Sequence, residues 1–461
     1  MLFKLELPPG LYRNGTAYQS SGRWYDAALV RWFEGTIRPM KGWATGLTGT
    51  LSGNPRAAHS WFSNTPATFA AFGTHTKCYA HDGTTLDDIT PAASFTPGHA
   101  DTSTWTFDNF GQILIACNDS DQDIWEWTPG GGGDLTLVTN APDALAIFVT
   151  DERIIVAIGA DGNPRNVKWC DQEARTTWTA TATNQAGSLL LQTNGTGMCG
   201  GRIRGGGLVW TTEDIHLMRY LGQPDIYGFE RVGSNCGIIG RHAFRIVDSV
   251  AYWMGVNGFW RYAGYVEPLQ SDIGDDVFAN INTSYLSKVW CLHNAQFGEV
   301  WWFYPRSAAT ECSHYAIYNY REGHWNHGAL ARNCGFAQGV FGWPVMVTAA
   351  GAMNKHETGY SYDSATREAV SGPIEIGDGE RRMQIDEFIP DESTQGDCEV
   401  RFYTRDTPNS TETTMGPFNS ADRVAVLTTA RQARIGIRSE SATNDFRIGT
   451  YRVSARPRGR Y

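Results

Sequence analysis

Three histidines stand close together in the stretch HYAIYNYREGHWNHG: His314, His324 and His327. The last two form an H-x-x-H pair, a spacing that can offer two imidazoles to a metal ion, but no carboxylate or third imidazole stands at a diagnostic distance. They are therefore read as hydrogen-bonded structural residues. Asp272, Asp275 and Asp276 make DIGDD the densest acidic cluster. Glycoside hydrolysis requires two carboxylates facing each other across a pocket, whereas this turn-like run follows an outer strand and reads as solvated loop acids. The Gly130–Gly133 and Gly205–Gly207 runs lack the Lys-Ser/Thr of a phosphate loop and the strand-to-helix setting of a dinucleotide site, so they read as turns. Trp125 and Trp127, Trp301 and Trp302, and the single Trp253, Trp260 and Trp325 recur at equivalent places along the chain, a pattern that favours core packing over a platform for stacking sugars. The S-x-D-x-G-x-x-W, kelch and WD signatures are absent. No catalytic, cofactor-binding or metal-binding residue is assigned, and the chain is expected not to be an enzyme.

The elements that would position these residues come from an internal repeat. From His59 to Pro91 the chain reads HSWFSN, ATFAAFGT, KCYAHDG and TLDDITP, four short apolar-rich segments separated by turn residues. The same rhythm returns over 104–140, 145–183, 200–233, 242–273 and 289–330, and a seventh copy begins at Cys334 and stops one strand short. Four-strand units of about 40 residues are the mark of propeller blades. The second segment of each copy is the most continuously apolar, as expected of a strand buried on both faces.

The missing strand has a source near the start of the chain. The stretch 28–46 holds two strands about Gly35, and the second of them, IRPMKGW, is expected to complete the last blade and remove the exposed edges of an open ring. The reading is all-β: a seven-bladed propeller over 28–365 (28–46 closing the blades of 56–365), with six blades as the alternative because the third copy is the weakest. An N-terminal arm occupies 1–27. From 366 to 461 the pattern changes to plain period-2 alternation, which reads as an antiparallel β-sandwich, with a polar loop at 407–419 expected to be mobile.

Composition narrows the function classes. The chain holds 51 Gly, 17 Trp, 19 Tyr and 21 Phe and only 19% charged residues, which suits short strands and tight turns over long helices. The nine Cys are scattered with no C-x-x-C pair, which argues against a disulfide framework or a thiolate zinc site. The start MLFKLELPPG has no signal-peptide pattern, and no stretch is apolar enough to span a bilayer. A net charge of −10 argues against a general nucleic-acid binder. Basic residues gather at both ends, from Lys4 to Arg56 and from Arg447 to Arg460, leaving the middle acidic. Six Lys stand against 32 Arg, a bias that fits protein interfaces and equally a GC-rich genome.

Three segments together resemble a family. The opening RNGTAYQSSGRWYDAALVRWFEGTIRPMKGW, the first blade AAFGTHTKCYAHDGTTLDDITP and the ending RQARIGIRSESATNDFRIGTYRVSARPRGR are similar to the tail nozzle, or packaged-DNA stabilisation, proteins of short-tailed bacteriophages. The resemblance spans nearly the whole chain as a pattern, through short motifs. It implies a structural virion protein in the phage tail, made in the host bacterial cytoplasm. Members of the family form a homohexameric ring that continues the portal and adaptor channel, retains packaged DNA and serves as the conduit for genome ejection. The partners implied are adaptor or portal-side tail proteins and a tail fibre, spike or needle, with genomic DNA passing unbound. An acidic channel would repel DNA, with the Arg-rich ends facing protein partners. Two alternatives stay open: a carbohydrate-binding or glycan-degrading propeller of a phage tail, and a cellular scaffolding propeller.

Overall fold

Each copy of the repeat folds as a four-stranded antiparallel meander, because its alternating apolar residues have two faces to bury and its Gly, Asn and Asp turns reverse the chain every few residues. The computed structural model describes residues 2–92, 99–363, 365–376, 379–389, 398–420, 423–440 and 445–459. Blade 1 comprises Pro55–Phe62, Thr68–Thr74, Cys78–His81 and Leu86–Asp88; blade 2, Trp105–Phe110, Ile113–Asn118, Ile124–Trp127 and Thr136–Leu137. Blade 3 is Ala146–Val149, Ile155–Ile158, Asn166–Trp169 and Gly187–Leu190, and blade 4 is Gly197–Ile203, Gly206–Thr211, Asp214–Gly222 and Ile226–Ser234. Blade 5 is Phe244–Val247, Val250–Met254, Phe259–Tyr262 and Val266–Leu269; blade 6 is Trp290–Asn294, Glu299–Tyr304, His314–Asn319 and His324–Ala329. Blade 7 takes Cys334–Phe336, Val345–Val347 and Ala352–His356 and borrows its outer strand, Trp43–Thr50, from the start of the chain. The first strands touch in a cycle from blade 1 through blade 7 and back to blade 1, so the ring is closed. The third copy forms a full blade, and the count is seven.

The second strands of blades 3, 4 and 6 are buried along their whole length, as a sheet sandwiched between two others requires. Indole N–H groups stitch the blades together: Trp105 donates to the Thr74 carbonyl at 2.9 Å, Trp302 to Ala243 at 3.0 Å and Trp325 to Gln270 at 2.8 Å. Close approach has its own requirement. A Cβ at Gly73 would lie 2.4 Å from the Trp105 ring, so only glycine lets blade 2 dock there.

Closure uses a different strand from the one expected. Thr36–Pro39, the core of IRPMKGW, pairs instead with Val30–Phe33 in a two-stranded hairpin. On its other side Ile37 exchanges both backbone hydrogen bonds with Ile448 at 2.8 and 3.0 Å, which leaves no free edge for a blade. The pairing passes to the next segment, with Trp43 opposite His356 and Ala44 opposite Lys355. The Trp43 ring stacks on His356 at 5.4 Å and lies under the Arg332 guanidinium at 4.7 Å. Gly42 is required at this crossing, since a Cβ there would meet the Ser361 carbonyl oxygen at 2.1 Å.

The remaining strands form two sheets. One runs Leu2–Leu5, Tyr451–Pro457, Met383–Ile389, Val424–Ala430; the other runs Trp24–Ala28, Arg367–Ser371, Gln432–Ser439, Glu399–Arg405, Thr413–Asn419. Ile385, Phe388, Val400, Phe402, Ile435 and Ile437 are buried in the core to which both sheets contribute. The stretch expected as an N-terminal arm thus supplies one strand to each sheet. The expected mobile loop at 407–419 contains a strand instead: Thr413–Asn419 pairs with Glu399–Arg405, bringing Phe418 opposite Val400 and Met415 opposite Phe402. It is an edge strand with largely exposed side chains, which is why its sequence looks like loop.

A candidate ligand site in the propeller channel

The first strand of each blade faces the axis, so the residues alternating inward on those strands determine what the channel offers. They enclose a cavity of about 270 Å³ bordered by His59 and Ser60 of blade 1, Phe107 of blade 2, Phe244 and Arg245 of blade 5 and Phe336 of blade 7, with Arg241 and His242 just before blade 5. Three aromatic rings and several N–H donors therefore converge on one space.

The polar groups around this cavity are mostly tied down. His242 Nε2 is 2.7 Å from the Trp105 carbonyl, and His59 Nε2 is 2.5 Å from Asn109 Oδ1. Arg241 donates to the Met198 carbonyl at 2.6 Å and to Asp119 at 3.3 Å. Arg202 pairs with Asp108 at 3.1 Å, while the other Asp108 oxygen accepts the Val149 N–H at 2.8 Å. Burial, reinforced by the positive charge of Arg245, holds His242 down at about 4, and burial likewise lowers His59. Both imidazoles are neutral at pH 7. Arg245 differs from its neighbours: half-buried at the cavity wall, it has no ion pair or hydrogen bond among the described residues, and burial lowers its pKa. Sequence reasoning did not single out Arg245. The signal was present as a lone cation in the otherwise apolar strand Phe244–Val247, on an axis-facing element.

The histidines and aspartates weighed from sequence lie elsewhere. His324 contacts Glu322 at 3.2 Å, His327 contacts the Tyr304 hydroxyl at 2.7 Å, and His314 contacts the Ser313 hydroxyl at 3.0 Å. His314 and His327 stack at 5.7 Å beside a second cavity, of about 340 Å³, between blade 6 and the sandwich. Burial lowers them to about 4 and about 3 respectively. Among the described residues no group of three or more His, Cys, Asp or Glu could hold a metal ion. DIGDD is not a solvated turn: Gly274–Asn280 is a short helix. Asp276 in its first turn accepts two hydrogen bonds from Arg306 at 2.7 and 2.9 Å, with Arg13 at 3.5 Å. Burial acts to raise the Asp276 pKa, but these cations outweigh it and the net shift is downward. Asp272 and Asp276 are half-buried and Asp275 is exposed, because the segment between blades 5 and 6 folds against the N-terminal segment, where Arg13 and Asn14 donate their backbone N–H groups to the Asp272 carbonyl at 2.7 and 3.2 Å.

No known family profile and no curated protein matches the sequence. Solved structures similar to the chain include an exo-β-1,3-galactanase from Phanerochaete chrysosporium, at 9% identity over 90% of this chain and 100% of that one, with a TM-score of 0.33. A fungal alcohol oxidase of the AA5 family in complex with copper is 11% identical over 97% and 98% of the two chains, with a TM-score of 0.40. Kuenenia stuttgartiensis hydrazine synthase is 8% identical over 68% and 98%, with a TM-score of 0.39. Such likeness concerns architecture alone. It does correct one expectation: enzymes such as the galactanase and the oxidase stand among the structural neighbours, so the missing sequence signatures are no ground for calling this chain catalytically inert. Among the described residues no helix is long and apolar enough to cross a membrane. The chain is an all-β protein: a seven-bladed β-propeller, closed by an N-terminal strand, with an antiparallel β-sandwich.

Proposed function

We propose that the chain is a glycan-engaging β-propeller of a phage tail, with the channel cavity as its ligand site. The observation that carries this reading is the cavity's mixed lining. Phe107, Phe244 and Phe336 present aromatic surface, and His59, His242 and Arg245 bring polar groups to the same space. Sugars are held by that combination, an apolar wall for the C–H face of the ring and a few placed polar groups for its hydroxyls. The placement in a phage tail rests on the sequence resemblance. Screening the full-length protein against bacterial capsular and lipopolysaccharide glycans, with mass spectrometry of the products, tests the reading. Binding or cleavage that is lost in a folded Phe107→Ala variant supports it. No glycan bound across those sets overturns it.

A second reading, the nozzle ring around the DNA channel, is favoured by where the resembling segments lie. The opening segment runs along the seam between sandwich and propeller: Leu11 donates its N–H to the Trp325 carbonyl at 2.8 Å, and Arg31 reaches Glu299 of blade 6. The final strands complete the sandwich beside it. Electron microscopy of the protein at high concentration, alone and with its neighbouring tail proteins, distinguishes the two. Six-fold rings support the nozzle; separate propellers in both preparations overturn it.

A further inference from the structure

We infer that the channel cavity receives a carboxylate, the acid group of an acidic sugar, and that Arg245 is the residue that pairs with it. The inference rests on the glycan reading above and narrows it to a substrate class. Two neighbouring guanidiniums already have a carboxylate: Arg241, which lines the cavity, pairs with Asp119, and Arg202, on the inner strand of blade 4, pairs with Asp108. Arg245 lines the same cavity, and among the described residues no carboxylate reaches it. Even a half-buried charge loses part of its hydration and is stabilised by a partner, so the site is built with one cation in excess and is complete only when a ligand anion enters.

The chemistry of the wall selects the kind of anion. A guanidinium fork matches the two oxygens of a carboxylate in a bidentate pair. His59 and His242 are neutral, so the cavity supplies a single uncompensated positive charge, which balances one carboxylate and falls short of a phosphate dianion. Phe107 and Phe244 leave room for a sugar ring against an apolar surface, and Ser60 is placed to meet a hydroxyl. An acidic sugar satisfies all of these groups at once, whereas a neutral sugar would leave Arg245 without a partner.

Isothermal titration of the full-length protein tests this. The probes are galacturonate, glucuronate and sialate trisaccharides, each beside its carboxyl-reduced form, with galactose 6-phosphate as the phosphoryl control. At least one acidic trisaccharide is expected to bind about tenfold or more tightly than its reduced form, since a charge-assisted pair is made only with the acid. In Arg245→Gln that preference disappears, and in Arg245→Lys part of it survives. Thermal melting shows that both variants remain folded. Equal affinity for acid and reduced forms, or a preference that persists in Arg245→Gln, overturns the carboxylate assignment and leaves the glycan reading intact. Tighter binding of galactose 6-phosphate than of every acidic trisaccharide overturns it likewise. Failure of every sugar to bind overturns both.

Discussion

Replacing Arg31 by Met should unseat the charge cluster that pins the N-terminal hairpin to blades 6 and 7. The Arg31 guanidinium donates to both Glu299 oxygens at 3.1 Å and to Glu357 at 3.0 and 2.5 Å, and lies 3.7 Å over the Phe297 ring. The side chains of Arg31 and Glu299 are each 2% exposed and that of Glu357 is 9% exposed. Burial alone would lower the Arg31 pKa, but the two carboxylates outweigh it and keep the group charged. Glu299 is pushed up, by burial first and by Glu357 as well, because one cation serves two carboxylates. Without Arg31 two buried carboxylates face each other, and the cost expected for breaking such a cluster is about 3–5 kcal/mol. That cost depends on pH. A carboxyl whose folded pKa lies above its unfolded value destabilises the fold as pH rises through the unfolded value, near 4.5, towards the folded one, and the loss is complete above both. The difference between wild type and Arg31→Met should therefore be largest at pH 8 and shrink towards pH 5. Urea unfolding followed by fluorescence of the 17 tryptophans measures it. Adding Glu299→Gln and Glu357→Gln to Arg31→Met should recover much of the loss by removing the stranded charges. A difference below about 1 kcal/mol at pH 8, or one that stays constant with pH, would refute the reasoning.

Three further outcomes are expected. Trp105→Phe removes the indole donor to the Thr74 carbonyl and leaves a small void where the fully buried ring packs on Gly73, so unfolding should become at least about 1–3 kcal/mol easier; an unchanged urea midpoint would show that the blade 1–2 seam does not depend on it. All nine cysteines are buried, and burial pushes Cys170 and Cys236 up to about 12. Native protein at pH 8 should therefore leave Ellman's reagent unreacted until urea is added. His327 faces Asp276, Arg13, Arg306, Tyr304 and His314 and is held neutral by burial, at about 3. Its contribution is complete above the unfolded value near 6.5 and falls away as pH drops towards 3. The stability lost between pH 7 and pH 4 should thus be smaller in His327→Gln by about 3 kcal/mol, and equal losses in both proteins would contradict this assignment.

Much of the architecture was legible along the chain because it rests on local rules. Period-2 alternation and turn residues mark strands that pair with their immediate neighbours, and a meander such as Glu299–Tyr304 with His314–Asn319 needs only near-neighbour contacts. Continuous apolarity identified the second strands as buried on both faces, and the recurrence of Trp302 and Trp253 marked them as core. The acidic run DIGDD was misread because its ion pairs come from Arg306 and Arg13, 30 and hundreds of residues away.

What the amino-acid sequence determined by itself is the repeating four-strand unit and the need for an N-terminal strand to finish the last one, while the choice of seven blades over six waited on the third copy folding as a full blade. Which strand does so was decided only in three dimensions, since Thr36–Pro39 and Trp43–Thr50 are both competent to pair and Ile448 of the sandwich had already occupied the first. The same holds for the candidate site. A single strand shows that Arg245 is a cation among apolar residues, but whether that charge is compensated depends on what the other blades place at the same height around the axis. Asp108 and Asp119 answer Arg202 and Arg241, and no carboxylate among the described residues answers Arg245, because compensation across a channel is a matter of distance in space and not of spacing in the chain.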